Sequence, residues 1–257
     1  MELGEGLQLR VPGLGVRPLQ TTCNGIPLRI KQTVYRMKTP PPSKRRSDHA
    51  SAVLRSRIIE GVLEPGTLVA ESAAAKELGV SRVPVREALF ALERDGLVDF
   101  SESGRAYVKT LSAHDFQELY ALRLALEPLG ARLAAPRLRE NASALECNIQ
   151  ATREANTIRD VTRLDLDFHE LILEASDNSR LLKLWRSLRG ELELWLGQLH
   201  RKHQANQLDT RNGTAGAHEE ILRCFQNATP EACEQLMRQH VQGWREWLPL
   251  SEKHPIK

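Results

Sequence analysis

Between Glu71 and Val98 the sequence sets two short helical patterns either side of a tight Gly-Val-Ser turn, and few folds accept that arrangement. "ESAAAKELGV" reads as a helix closed by Gly79, the residue type best suited to a left-handed C-terminal cap. Ser81 then offers an N-cap hydroxyl, and "SRVPVREALFALERDGLV" opens a second helix. Pro84 falls in its first turn, where backbone N–H groups have no helical partner in any case. Val85, Ala88, Leu89 and Leu92 recur at i, i+3, i+4, i+7, so this helix buries one face, and Gly96 ends it. Upstream, "ASAVLRSRIIEGVLEPG" begins just after His49. It spaces Val53, Leu54, Ile58 and Val62 along one helical face and stops at a Glu-Pro-Gly turn. Downstream, "LVDFSESGRAYVKT" alternates around a Ser-Gly turn, which predicts a two-stranded hairpin. Two short helices joined by a tight turn and followed by a hairpin make a winged helix-turn-helix, placed at residues 49–110.

Arg82 and Arg86 share one face at the start of the second helix, where the helix dipole disfavours cations by a few tenths of a kcal/mol. In a helix-turn-helix that end enters the major groove. A bidentate arginine–guanine contact is worth about 1–3 kcal/mol of discrimination, which outweighs the dipole. The free N–H groups there also suit a phosphate. Charge along the chain agrees. Residues 1–110 carry 17 Lys/Arg against 12 Asp/Glu, and the remainder 19 against 21, so the front is net +5 and the rear net −2. That asymmetry favours a polyanionic partner at the front.

Residues 1–48 mix isolated Gly and Pro with short apolar runs and end in "KTPPPSKRRSD". They are expected to form a disordered extension whose Lys44, Arg45 and Arg46 make a basic arm. No apolar run reaches the roughly 18–20 residues of a membrane span, and the start lacks the apolar core of an export signal. The four cysteines, Cys23, Cys147, Cys224 and Cys233, form no C-x-x-C pair. A cytoplasmic protein without membrane contact, disulfide framework or zinc finger is expected.

Beyond Thr110 the pattern is helical almost throughout, in segments beginning "SAHDFQELYALRL", "RDVTRLDLDFHE", "NSRLLKLWRSLRG", "AGAHEEILRC" and "TPEACEQLMRQH". There is no βαβ alternation, so residues 111–250 read as an all-α bundle, with 251–257 a tail, and the chain as a whole is mainly α. Asp165 and His169 are i, i+4 neighbours on one helix face, and His218 and His240 lie on later helices. One carboxylate and three imidazoles from three helices could converge on a divalent cation. An Asp/His pair at this spacing is equally a surface hydrogen bond, and the residues alone leave both readings open. His200 and His203 read as loop or helix-end residues, and Trp185, Trp195, Trp244 and Trp247 as packing or interface.

The segment "GVSRVPVREALFALERDGLV" resembles the DNA-binding signature of GntR-type bacterial transcription regulators, over roughly residues 50–110. The resemblance implies that Ser81, Arg82, Val83 and Arg86 contact operator DNA and that the hairpin wing, at Gly104 and Arg105, touches the minor groove. Relatives usually carry Arg-Gly where this chain has Gly104-Arg105. "LRLALEPLGARLAA" resembles the start of the all-helical FCD effector domain of the FadR branch, and that likeness continues to about residue 245. It implies that Asp165, His169, His218 and His240 bind a divalent transition metal (zinc, nickel or manganese). The position before the third ligand, usually Glu, is Ala217 here, and "NATPE" replaces the usual Gly-Asp turn. Arg123, in the "LR" of that motif, and Asn178, after "EAS", are candidates for holding a small carboxylate effector.

These features predict a homodimeric regulator whose operator affinity responds to a small organic acid bound at the metal. Two other classes fit parts of the pattern. A direct metal sensor needs no organic acid. A metal-dependent enzyme carrying a DNA-binding domain needs an additional acid or base, and the sequence offers none with a defined role.

Overall fold

Proline fits the first turn of a helix because its missing N–H is not called upon there, and α1 (Pro42–Ile59) begins on one. The computed structural model describes residues 22–23, 26–27 and 42–244. The chain divides into two units, Met1–Arg36 and Met37–Lys257. In the first, β1 (Thr22–Cys23) pairs antiparallel with β2 (Ile26–Pro27). The rest of the expected disordered extension up to residue 41 lies outside the described residues. The basic cluster Lys44–Arg46 belongs to α1 rather than to a linker, and all three residues are exposed. The buried stripe of α1 is Ala50, Leu54, Ile58 and Ile59. Val62, expected on that stripe, is 68% exposed, because the helix stops at Ile59 and Gly61 turns the chain at φ +78°.

The helix-turn-helix follows as read. α2 (Glu71–Leu78) ends at Gly79, whose left-handed backbone lets its N–H reach the carbonyls of Ala75 and Lys76. α3 (Arg82–Arg94) buries Pro84, Val85, Ala88, Leu89 and Leu92. β3 (Val98–Phe100) pairs antiparallel with β4 (Ala106–Val108), with Val98 opposite Val108, and Leu68 bridges to Tyr107 from the other side.

Six further helices form the rear part. α4 (Ala113–Glu140) starts at a capping box in which Ser112 and Asp115 satisfy each other's backbone N–H groups. α5 (Ser143–Glu154), α6 (Ile158–Ala175), α7 (Ser179–Ala205), α8 (Thr210–Asn227) and α9 (Pro230–Gly243) follow. α4 packs along α9 and α6, and α5 along α6 and α8. No described helix is long and apolar enough to cross a membrane.

α7 is a wall shared by both parts. Leu192, Leu194, Trp195 and Leu196 join the winged-helix residues Leu54, Ile59 and Leu97 in one apolar cluster. Polar contacts reinforce it. Arg55 of α1 pairs with Asp95 and with Glu193 of α7, Lys109 lies 2.6 Å from Glu191, and Arg201 donates to the carbonyl of Ile59. Gly190 is the tightest point. A Cβ there would sit 1.4 Å from the backbone oxygen of Asp95. Gly190→Ala is therefore expected to force the winged helix off α7 and to cost about 1–3 kcal/mol or more, as overpacking does. Chemical denaturation checks this, and a wild-type midpoint would show that the approach is not required.

Candidate functional site

At the front, the exposed end of α3 is built to present cations. Ser81 has the extended backbone of an N-cap, yet its hydroxyl makes no cap bond. Arg82 and Arg86 lie on the open face, and Val83 between them is 65% exposed. The opposite face holds the helix in the core, so these side chains are fixed at the base and exposed at the tip. Glu71, the first residue of α2, lies 3.3 Å from Arg82 and 3.6 Å from Arg86. The Arg86 guanidinium stands 5.7 Å from the Phe90 ring, which stacks on Phe100 of the wing at 4.9 Å. Sequence reading missed Glu71 and the Phe90–Phe100 brace. The available signal was an acid opening the first helix of the motif. At the wing tip Gly104 takes φ +71°, a conformation that favours glycine, and donates its N–H to the Ser101 carbonyl. Arg105 beside it is exposed.

The rear part gathers Asp165, His169, His218 and His240 from α6, α8 and α9. The three histidines each offer a ring nitrogen, and those atoms lie within 4.8 Å of one another. Asp165 Oδ1 lies 3.5 Å from His169 Nε2 and 3.4 Å from His218 Nε2. His218, His169 and Asp165 are buried. Phe168 stacks on His218 at 3.8 Å with the rings nearly parallel, which fixes the imidazole plane. Asp165 Oδ1, His218 Nδ1 and Nε2, and His240 Nε2 are buried with no hydrogen-bond partner among the described residues. Such orphaned groups each cost about 1–3 kcal/mol. One hard-to-borderline cation accepting nitrogen and carboxylate donors would satisfy them, and the donor set fits that use.

Electrostatics divide the imidazoles. Burial lowers the pKa of His218, and the nearby Asp165 carboxylate does not reverse it. Burial and the neighbouring His169 and His218 hold His240 well below the usual range. Burial also opposes charge on His169, but the Glu127 carboxylate and the contact with Asp165 outweigh it and raise the group. Asp165 is buried, which disfavours its charge, yet the facing His169, His200 and His218 keep it well below the ordinary carboxylate range. Burial thus favours neutral His218 and His240, as ligation needs, whereas His169 is biased toward its charged form and would have to lose a proton to a cation.

Asn178 and His200 stand differently from their sequence reading, and Arg123 is more committed to a partner than that reading supposed. Arg123 is fully buried, and its Nε and Nη2 are engaged with Glu127 at 2.6 and 3.1 Å, while Trp244 covers it at 4.0 Å. It does face the cluster, since Nη2 lies 3.4 Å from His169 Nε2, and Nη1 has no partner among the described residues. Asn178 is the N-cap of α7, its side-chain oxygen accepting from Leu181 N–H, and it does not line the cavity beside the cluster. A helix start needs such an acceptor, which leaves that oxygen committed. His200 is no helix-end residue. It is buried within α7, between Thr162 and Asp165. His203 lines the same cavity. Glu127, unnoticed in the sequence, lies 3.0 Å from His169 Nδ1 and also accepts from Trp185 Nε1 at 3.0 Å. The i, i+4 spacing of Arg123 and Glu127 was its only signal.

Beside the cluster opens a cavity of about 380 Å³, lined by Asp165, His200, His218, His240, Thr214 and Trp244 among others. Its walls mix imidazoles, hydroxyls and the carboxylates of Asp165 and Asp209 with Leu199, Leu208 and Ala217. This is the size and character of a small-molecule site. Trp185 and Trp195 are core residues as expected, Trp244 also faces the cavity, and Trp247 lies outside the described residues.

Comparison with known proteins identifies both parts of the fold. Residues 46–108 match the family described as bacterial regulatory proteins, gntR family, and residues 118–243 match the FCD domain. An uncharacterized HTH-type transcriptional regulator of Bacillus subtilis is 35% identical over 136 residues, 51% of this chain and 61% of that protein. The gluconate operon transcriptional repressor of Bacillus licheniformis is 31% identical over 147 residues, 56% of this chain and 60% of the repressor. The chain thus spans about three fifths of the length of these relatives. A solved structure of a transcriptional regulator GntR from Rhodococcus sp. RHA1 superposes with a TM-score of 0.57 at 25% identity, covering 79% of this chain and 97% of that one. These relatives are transcription regulators, not enzymes. With a gntR-type winged helix joined to an FCD domain, the chain belongs to the gntR family of bacterial transcription regulators, in its FadR-like branch.

Proposed function

We propose that this regulator binds operator DNA as a homodimer through α3, and that a small organic acid held at a metal in the rear domain tunes that binding. The observation that carries the reading is the cavity beside Asp165, His218 and His240. A pure metal sensor needs no such space, so the cavity favours an organic effector over direct metal sensing. Asp165, His169, His218 and His240 would hold one divalent transition cation, which when bound supplies Lewis-acid positions for a carboxylate. Histidine-rich ligation suits zinc, nickel or manganese and disfavours calcium and magnesium. Arg123 is the proposed second anchor of the carboxylate through Nη1 alone, Nε and Nη2 being committed to Glu127.

α7 supports a route from effector to DNA. It carries His200 into the cavity wall and, one residue on, Arg201 onto the end of α1. An effector that favours one position of α7 would move the winged helix with it, a coupling of about 1–3 kcal/mol. Exposed Leu122, Leu129 and Leu133 on α4, with Leu184 on α7, supply an apolar face for the dimer. The working place of such a protein is the cytoplasm, where its operator lies.

The reading is tested by loading the full chain with zinc, nickel or manganese and screening small carboxylates for a change in affinity for a site selected from random DNA. No response from any cation and acid combination would reject it. At the front, Arg86→Ala is expected to weaken specific binding by about 1–3 kcal/mol with the fold intact, and Arg82→Ala similarly. Ser81 and Val83, and Gly104 and Arg105 of the wing, complete the proposed contact surface. If both arginine variants bind the selected site like wild type, α3 is not the reading element.

A further inference from the structure

We propose that His200 is a positioning residue for the cation site, holding one oxygen of Asp165 so that the other faces the remaining donors. The inference rests on the reading that this cluster binds a cation. His200 comes from α7, which supplies none of the four proposed ligands, and it is 3% exposed. Its Nε2 lies 3.3 Å from Asp165 Oδ2, and its Nδ1 lies 2.9 Å from the hydroxyl of Thr162. Thr162 and Asp165 are one helical turn apart on α6, both buried, so the ring is gripped at both nitrogens by one element.

The hydrogen-bond chemistry allows one arrangement. A carboxylate only accepts, so Nε2 must carry the proton. The neutral ring then has a lone pair on Nδ1, and the Thr162 hydroxyl donates to it. The other tautomer would set a bare nitrogen against the Asp165 carboxylate, two acceptors facing in a buried place. The Asp165 carboxylate thus sets the tautomer, Thr162 holds the ring in place, and His200 in turn holds the carboxylate's orientation.

This selection matters because the two oxygens of a carboxylate are chemically equivalent. Without a partner on one of them, Asp165 could rotate and present either. With Oδ2 facing His200 at 3.3 Å, Oδ1 stays toward His169 and His218, at 3.5 and 3.4 Å and without a well-formed hydrogen bond. His200 lies outside the group of His169, His218 and His240, whose ring nitrogens approach within 4.8 Å of one another, and its Nε2 faces Asp165 Oδ2 instead. To ligate, it would have to give up Asp165. Partners of this kind, one bond behind the ligands, typically change metal affinity about 10- to 100-fold when removed.

The test titrates the full chain with cobalt(II), whose visible band reports both affinity and coordination, in wild type, His200→Ala, His200→Gln and Thr162→Val. Circular dichroism checks folding. His200→Ala is expected to bind one cobalt about tenfold more weakly, with a shifted band. His200→Gln, whose amide N–H reaches where Nε2 does, should restore most of the affinity. Thr162→Val should lose a smaller part. Wild-type affinity in His200→Ala, or a glutamine variant no better than alanine, overturns the assignment. Complete loss of cobalt in His200→Ala would make the residue a ligand and also overturns it. Should the alanine variant not fold, unchanged affinity in Thr162→Val decides against the proposal. A wild-type protein that binds no cobalt rejects the cation reading itself, and this inference with it.

Discussion

Replacing Arg123 by alanine is expected to destabilise the protein by about 3–5 kcal/mol, the cost of stranding one member of a buried ion pair. The guanidinium is fully buried and meets Glu127 through two parallel bonds, a fork that a lysine could not reproduce. Removing it leaves the Glu127 charge with the Trp185 N–H and the His169 ring as its neighbours. It also removes the cation from the face of Trp244. The loss should be partly recovered by Arg123→Met combined with Glu127→Gln. That pair carries no charge, and the glutamine oxygen can still accept from Trp185. Urea denaturation of the single and double variants measures both effects. A single variant within about 1 kcal/mol of wild type would mean that the pair is already hydrated and not a structural charge. The same experiment bears on the effector. A double variant that recovers stability but not response would keep Arg123 as a carboxylate anchor, separate from its structural part.

Arg123 also shows where sequence reading reached its limit. A cavity-facing arginine and one held in an intramolecular salt bridge were both open readings of the sequence. Its partner and burial were not legible, because an i, i+4 Arg/Glu spacing is common on solvated helices and says nothing of burial. The winged helix was more transparent. Gly79 and Pro84 each do a local backbone task that only a few residue types can do, and Val85, Ala88, Leu89 and Leu92 keep strict helical period. Val62 broke the pattern because a glycine turn, not periodicity, decides where α1 ends. α5 escaped notice because its buried Leu145, Asn148, Ile149 and Thr152 interleave polar side chains with apolar ones. His200 was misread for a related reason. Its partners, Thr162 and Asp165, stand 38 and 35 positions away in sequence, and only the packing of α6 on α7 brings them together.

His218→Ala is expected to abolish stoichiometric binding of zinc, nickel or manganese and, with it, any response to an organic acid, while operator binding by the unliganded protein persists. The histidine is central to the donor set. It is fully buried, its Nε2 lies 3.4 Å from Asp165 Oδ1, and its ring stacks on Phe168. Neither ring nitrogen has a hydrogen-bond partner among the described residues, which is what the proposed ligation would supply. Removing it deletes one donor and opens a space beside Phe168 that water can enter. Stability should change little without metal, because the ring's unsatisfied nitrogens leave along with its packing. With metal, wild type should gain stability as RT ln(1 + [L]/Kd), about 2.7 kcal/mol at a hundredfold excess over Kd, and the variant should gain none. α3 lies in the winged helix and shares no residue with the cluster, so Arg82 and Arg86 keep their geometry. Calorimetric titration with each cation, paired with thermal melts and binding to the selected DNA site, reads all three quantities. Retention of stoichiometric metal by His218→Ala, or a full acid response from metal-stripped wild type, would assign the three histidines to structure and leave the effector to bind without them.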